Sequence, residues 1–178
     1  MTNFARLDHR LDVSALTCRA IIETPKGSRS KYTYEQEVEA FELTGLLPVG
    51  MSFPLDFGFI PSTLGQDGDP LDVLVLGDEP SVVGCLANVR LLGVIEAEQT
   101  ERDGRVIRND RLLARVDQSI SYEGAAQLDD LGTLFIDHLG RFFTNYNALK
   151  GKGFKVITTA GPERAAALIR SASSHSPL

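Results

Sequence analysis

The chain has 178 residues, of which 43% are hydrophobic and 24% charged, with a formal net charge of −6 and an isoelectric point near 5.1. That length suits one domain with a sizeable core, and the acidic balance excludes nucleic-acid binding through bulk electrostatics, which needs a basic face. No apolar run approaches the roughly 20 residues of a membrane span.

The first 13 residues carry Arg6, Asp8, His9, Arg10 and Asp12 and lack the apolar stretch of a signal peptide. Cys18 and Cys85 show no metal-ligand spacing, so reduced core cysteines in a cytoplasmic protein are expected. One domain over residues 1–178 is expected, with a short flexible N-terminus and a frayed Ser-rich tail over 171–178.

In chain order, residues 16–24 alternate in part and predict a strand that Pro25 and Gly27 terminate. Short strands are expected at 31–35 and 40–43. Pro48, Gly50, Pro54, Gly58 and Pro61 predict irregular chain up to Gly65. Residues 72–76 (Asp-Val-Leu-Val-Leu) read as a buried strand. Further strands are expected at 85–96 and 111–116. Asp130 is expected to cap a helix whose apolar face holds Leu131, Leu134, Phe135, His138, Leu139, Phe142, Tyr146 and Leu149, at steps of three and four. A strand at 154–158 and a helix at 161–172, with Pro162 near its start, follow. Many short strands followed by two helices predict an α+β, mainly β, architecture: a small β-barrel with α-helices packed outside.

The most informative segment is Asp67-Gly68-Asp69-Pro70-Leu71-Asp72. Three carboxylates within six residues raise one another's pKa values unless a cation sits among them, and hard divalent cations are the natural counter-charge. Pro70 biases Asp69 toward extended backbone, which would aim Asp67 and Asp69 to one side. Asp72 would open the strand. Asp-Gly and Asp-Pro are also common turn material, so a solvated turn stays open on this segment alone. An EF-hand loop does not fit, because its sixth position, where Gly is needed, would be Asp72. Lys31, Arg111 and Tyr146 could complete an anion site.

With these residues in view, the chain resembles the soluble, single-domain, magnesium-dependent inorganic pyrophosphatases from about Ala20 to Arg170. The most specific match is Asp67-Gly68-Asp69-Pro70-Leu71-Asp72-Val73. Gly50-Met51-Ser52-Phe53-Pro54-Leu55-Asp56-Phe57-Gly58-Phe59, Ile22-Glu23-Thr24-Pro25, Lys31-Tyr32 and Phe142-Phe143 with Tyr146 are also family-like. The resemblance implies a closed oligonucleotide-binding-like barrel flanked by two α-helices, and cleavage of pyrophosphate to two phosphates with Mg²⁺, Mn²⁺ being an alternative. It implies Asp67 and Asp72 as metal ligands, with Asp110 a candidate third. Asp69 would be the carboxylate that helps deprotonate the attacking water. Glu23 would hold a metal or metal-bound water at the rim, and Lys31, Arg111 and Tyr146 would bind the substrate at its phosphate oxygens. A homo-oligomer is also implied.

Departures fall within the site. Thr33 stands where the family carries Glu, and Gly45 where it usually carries Arg. Gln99 occupies an acidic position, the second acidic position falls on Asp110 with a gap in that loop and on Asn109 without one, Arg111 stands for Lys, and Asn147 for a common Lys. Lys150 and Lys152 lie close by, but spacing does not place them. Two other readings follow: a degenerate member that binds metal or phosphate without efficient catalysis, and a hydrolase of another phosphoanhydride.

Overall fold

The computed structural model describes residues 3–173, which form nine strands and two α-helices. In chain order these are β1 (Thr17–Thr24), β2 (Ser30–Glu35), β3 (Ala40–Leu46), β4 (Asp56–Phe59), β5 (Asp72–Leu76), β6 (Leu86–Thr100), β7 (Val106–Arg108), β8 (Arg111–Val116), α1 (Thr133–Leu149), β9 (Gly153–Ala160) and α2 (Pro162–Ala172). Strands pair in the order β1-β4-β5-β8-β6, and β6 returns to β1, which closes a ring of five. The β5–β8 pair is parallel and the other ring pairs are antiparallel. This is the closed, oligonucleotide-binding-like arrangement expected from the sequence, with both helices packed outside.

Residues on β5 alternate between two cores. Val73 and Val75 face a cluster with Ala20, Ile22, Val89 and Leu112, capped by Ala165, Ala166 and Ile169 of α2. Leu74 and Leu76 face a second cluster with Leu92, Ile95 and Leu113, under Leu139, Phe143 and Tyr146 of α1. Burial on both faces explains why 72–76 reads as a continuous apolar run rather than an alternating one.

The 15-residue β6 bends at Gly93, where its register against β8 shifts. Gly93 has φ +153°, and a Cβ there would lie 2.3 Å from the Ala160 carbonyl oxygen. Only glycine permits that approach.

Several expectations are corrected. Residues 56–59 form β4 despite their flanking prolines. Gly58 sits in it because β1 passes too close for a side chain. The short β7 also went unexpected. Asp130 does not cap α1. It lies in a short 3-10 turn (Leu128–Leu131) and accepts from the Ala126 and Gln127 amides, while Gly132 precedes α1. Leu134, His138 and Leu149 are exposed. The packed face is Phe135, Leu139, Phe142, Phe143 and Tyr146.

The N-terminus is packed rather than loose. Phe4 meets the rings of Tyr34 and Phe41 edge-on, and its amide donates to the Tyr34 hydroxyl. Residues 171–173 are held too: the Ser173 hydroxyl donates to the Ile169 carbonyl at 2.7 Å, and Ser173 bridges to Thr63. The rest of the expected frayed tail, 174–178, lies outside the described residues. Both cysteines are free, and burial pushes the Cys18 thiol up to about 12. No helix among the described residues is long and apolar enough to cross a membrane.

Candidate active site

The loop at 65–71 is built by local hydrogen bonds rather than by extended chain. Gly65 N–H donates to Asp69 O at 2.7 Å, and Asp69 N–H donates to the Asp67 carboxylate at 3.2 Å. Gly68 turns the chain at φ +90°, a conformation that favours glycine. The Thr63 hydroxyl fastens the far end by accepting from Leu71 N–H at 2.9 Å. The side-by-side placement of Asp67 and Asp69 therefore comes from a turn, not from strand alternation.

Other elements aim their residues into the same space. The parallel register that sets Val73 beside Leu112 sets Asp72 beside Arg111, and the Arg111 guanidinium bonds both Asp72 and Asn109. Glu23 lies where the β1–β4 register slips. Such a bulge redirects a side chain, and Glu23 accepts from Tyr34 N–H at 2.7 Å. Its other oxygen is 3.8 Å from the Lys31 ammonium, which lies 4.0 Å from the centre of the Phe57 ring. Arg111 is walled by Phe143 and Phe154.

Glu23, Lys31, Asp67, Asp69, Asp72, Arg111 and Tyr146 all line one cleft of about 490 Å³. Asp110, expected as a third metal ligand, lines a smaller cavity behind Asp67 and Asp72. Its carboxylate is taken up by Ala97 N–H at 2.9 Å and by Arg108 at 2.9 Å.

The opposite wall is made of amides and an ion pair. Asn109 donates to Gln99 at 2.9 Å, Gln99 donates to Glu101 at 2.5 Å, and Glu101 pairs with Lys152 at 2.8 Å. Sequence reasoning missed Glu101 and Arg105, which line the cleft from the turn before β7. No periodic pattern marks that turn.

The charge balance suits a cation. Burial raises the pKa values of Asp67 and Asp69, and the nearby Asp72 carboxylate adds to both. Burial pushes Glu23 up to about 7, against the Lys31 charge. Among the described residues, no group of three His, Cys, Asp or Glu side chains gathers at one point as a ready metal centre. A wall of separate carboxylates still fits Mg²⁺, which keeps several waters and commonly binds through one or two carboxylates plus substrate phosphates. Tyr146 lines this cleft, and its hydroxyl is buried without a hydrogen-bond partner.

Glu23 gives a pH prediction. Its folded pKa of about 7 lies above the ordinary 4.5, so the folded state holds a proton that the unfolded state has released between those values. Its contribution to metal-free stability is present below pH 4.5 and lost as pH rises through about 7, a change on the order of 3 kcal/mol. Thermal melts in chelator should show a smaller fall in Tm between pH 5 and about 7.5 for Glu23→Gln than for the wild type. Parallel curves would contradict the assignment.

Comparison with known proteins agrees with this geometry. A family model described as inorganic pyrophosphatase matches residues 20–176. The inorganic pyrophosphatase of Geobacillus stearothermophilus is 35% identical over 151 residues, 84% of this chain and 88% of that protein. That of Nostoc sp. is 34% identical over 149 residues, 84% of this chain and 85% of its own. The crystal structure of inorganic pyrophosphatase from Thermus thermophilus superposes with a TM-score of 0.85 at 31% identity, covering 96% of this chain and 97% of that one. The fold, the acidic loop and these matches together place the chain in the inorganic pyrophosphatase family.

Proposed function

We propose that the chain hydrolyses pyrophosphate to two phosphates in the cleft lined by Asp67, Asp69 and Asp72. The observation that carries this is convergence: residues from β1, β2, β5, β8, α1 and the acidic loop bring carboxylates, cations and a phenol together in one cleft.

Asp67 and Asp72 would hold the metal, Mg²⁺ with Mn²⁺ as an alternative. A divalent ion bound there neutralises phosphate charge and acidifies bound water. Asp110 is left out of the ligand set because Arg108 and the Ala97 amide occupy it. Asp69 is the proton acceptor for the attacking water. Its raised pKa makes it a better base than an exposed carboxylate. Lys31 and Arg111 place charge beside phosphate oxygens, and the unpartnered Tyr146 hydroxyl donates to one. Glu23 holds Lys31 in place from the rim. Phosphoryl transfer depends on such positioning and charge neutralisation more than on covalent chemistry.

The whole chain acts as one domain, in the cytoplasm, as a homo-oligomer. Initial rates of phosphate release on pyrophosphate, inorganic triphosphate and nucleoside triphosphates at equal concentration test the substrate. Pyrophosphate should be preferred, and a faster rate on a nucleotide would overturn the assignment.

A further inference from the structure

The turn that follows α1 supplies a cation in a place the resemblance does not predict. Five cationic side chains line the cleft: Lys31, Arg105, Arg111, Lys150 and Lys152. Four are committed to carboxylates. Lys31 faces Glu23 at 3.8 Å, Arg105 pairs with Asp103 at 2.7 Å, Arg111 pairs with Asp72, and Lys152 pairs with Glu101 at 2.8 Å. Among the described residues, Lys150 has no carboxylate within salt-bridge distance. Its ammonium lies 4.3 Å from the centre of the Tyr146 ring, the same ring whose hydroxyl is buried and unpartnered.

The backbone that carries Lys150 is fixed. Lys150 and Lys152 N–H both donate to Asn147 O, at 2.9 and 3.0 Å. Gly151 reverses the chain at φ +71°, and Arg102 from the turn before β7 donates to Lys150 O at 2.8 Å. Asn147 cannot supply a charge itself. It is buried, and its amide is spent on Phe143 O at 2.9 Å.

We infer that Lys150 is a substrate-binding residue, taking the phosphate-neutralising part that Asn147 leaves unfilled, with Tyr146 as the adjoining donor on the same phosphoryl group. This rests on the proposed pyrophosphate reading and adds a residue to it. A flexible ammonium stacked on an aromatic face and free of any carboxylate is poised to swing to an anion. Lys152, on the same turn, is tied to Glu101 at 2.8 Å.

The test measures KM and kcat for magnesium pyrophosphate, and separately the Kd of imidodiphosphate, a non-hydrolysable analogue, by calorimetry. Wild type, Lys150→Met, Lys150→Arg and the surface control Lys155→Met are compared. Lys150→Met should raise both KM and the imidodiphosphate Kd about 10- to 100-fold, the scale of one charged contact. Lys150→Arg should recover most of the loss, and Lys155→Met should match the wild type. Unchanged analogue affinity in Lys150→Met, beside a wild type that turns over pyrophosphate, overturns the Lys150 assignment and leaves the activity standing. An equal loss in Lys155→Met would trace the effect to net charge and also overturn it. A wild type that neither binds the analogue nor releases phosphate overturns both readings.

Discussion

Asp72→Asn is expected to lower pyrophosphate turnover by roughly two to four orders of magnitude without unfolding the protein. Asp72 opens β5, and its backbone pairs with Phe59, so an isosteric amide leaves the strand in place. The loss is of charge. Asp72 balances the buried Arg111 guanidinium and supplies one of the carboxylates proposed to hold the metal. Two charged contacts at about 1.5–3 kcal/mol each give roughly 3–6 kcal/mol, and about 1.4 kcal/mol is tenfold in rate. Such terms couple, so the range is wide. Measuring kcat beside a thermal melt checks this: turnover within about tenfold of the wild type would remove Asp72 from the centre of the chemistry.

Gly58→Ala carries the largest expected effect on stability. A Cβ on Gly58 would lie 1.9 Å from the Ile21 carbonyl oxygen and 2.8 Å from its carbon. Both contacts are backbone, so no side chain can swing aside. Either β1 or β4 must shift, at a cost of roughly 3–5 kcal/mol, the scale of severe core substitutions. For a domain of this size that lowers Tm by about 10–15 °C. β1 carries Glu23 and β4 pairs with both β1 and β5, so a shift of either strand disturbs the cleft and phosphate release should fall. A Tm within about 2 °C of the wild type would show that β1 and β4 separate more easily than their packing implies.

Gly58 also shows where sequence reading stopped. Between Pro54 and Pro61, a glycine looks like further punctuation, yet it exists because two strands cross too closely for a side chain. That reason is tertiary and leaves no local trace. β5 and β8, by contrast, were legible to the residue: 72–76 and 111–116 are buried on both faces, and their apolar runs have sharp polar ends. The α1 periodicity was legible too, but Leu134 and Leu149 fit the repeat and are nevertheless exposed.

The site divides in the same way. Asp67, Asp69 and Asp72 drew attention as close carboxylates that could equally be a solvated turn, and the family resemblance supplied their expected roles; the structure sets all three on the cleft lining. The segment's path was not legible: Gly68 and the Asp69 amide fold it into a turn where an extended chain was expected. Asp110 was singled out by its place in sequence, but its neighbour Arg108 and the Ala97 amide draw it into the adjoining cavity. Glu101 and Lys150 sit in turns without pattern, and only the docking of the two turns through Arg102 and Lys152 brings them to the cleft.

The amide wall sharpens what the chemistry must rely on. Asn109 donates to Gln99, Gln99 donates to Glu101, and Arg111 spans Asn109 and Asp72. With neutral amides at those two positions, metal affinity would rest on Asp67 and Asp72. The most direct measurement of the central claim is therefore phosphate release from pyrophosphate by the purified chain, titrated with Mg²⁺ and then with excess chelator. Turnover that rises with Mg²⁺, vanishes in chelator and returns when the metal is restored is the predicted result. Full turnover in chelator, or no phosphate release at any Mg²⁺ concentration, would contradict it.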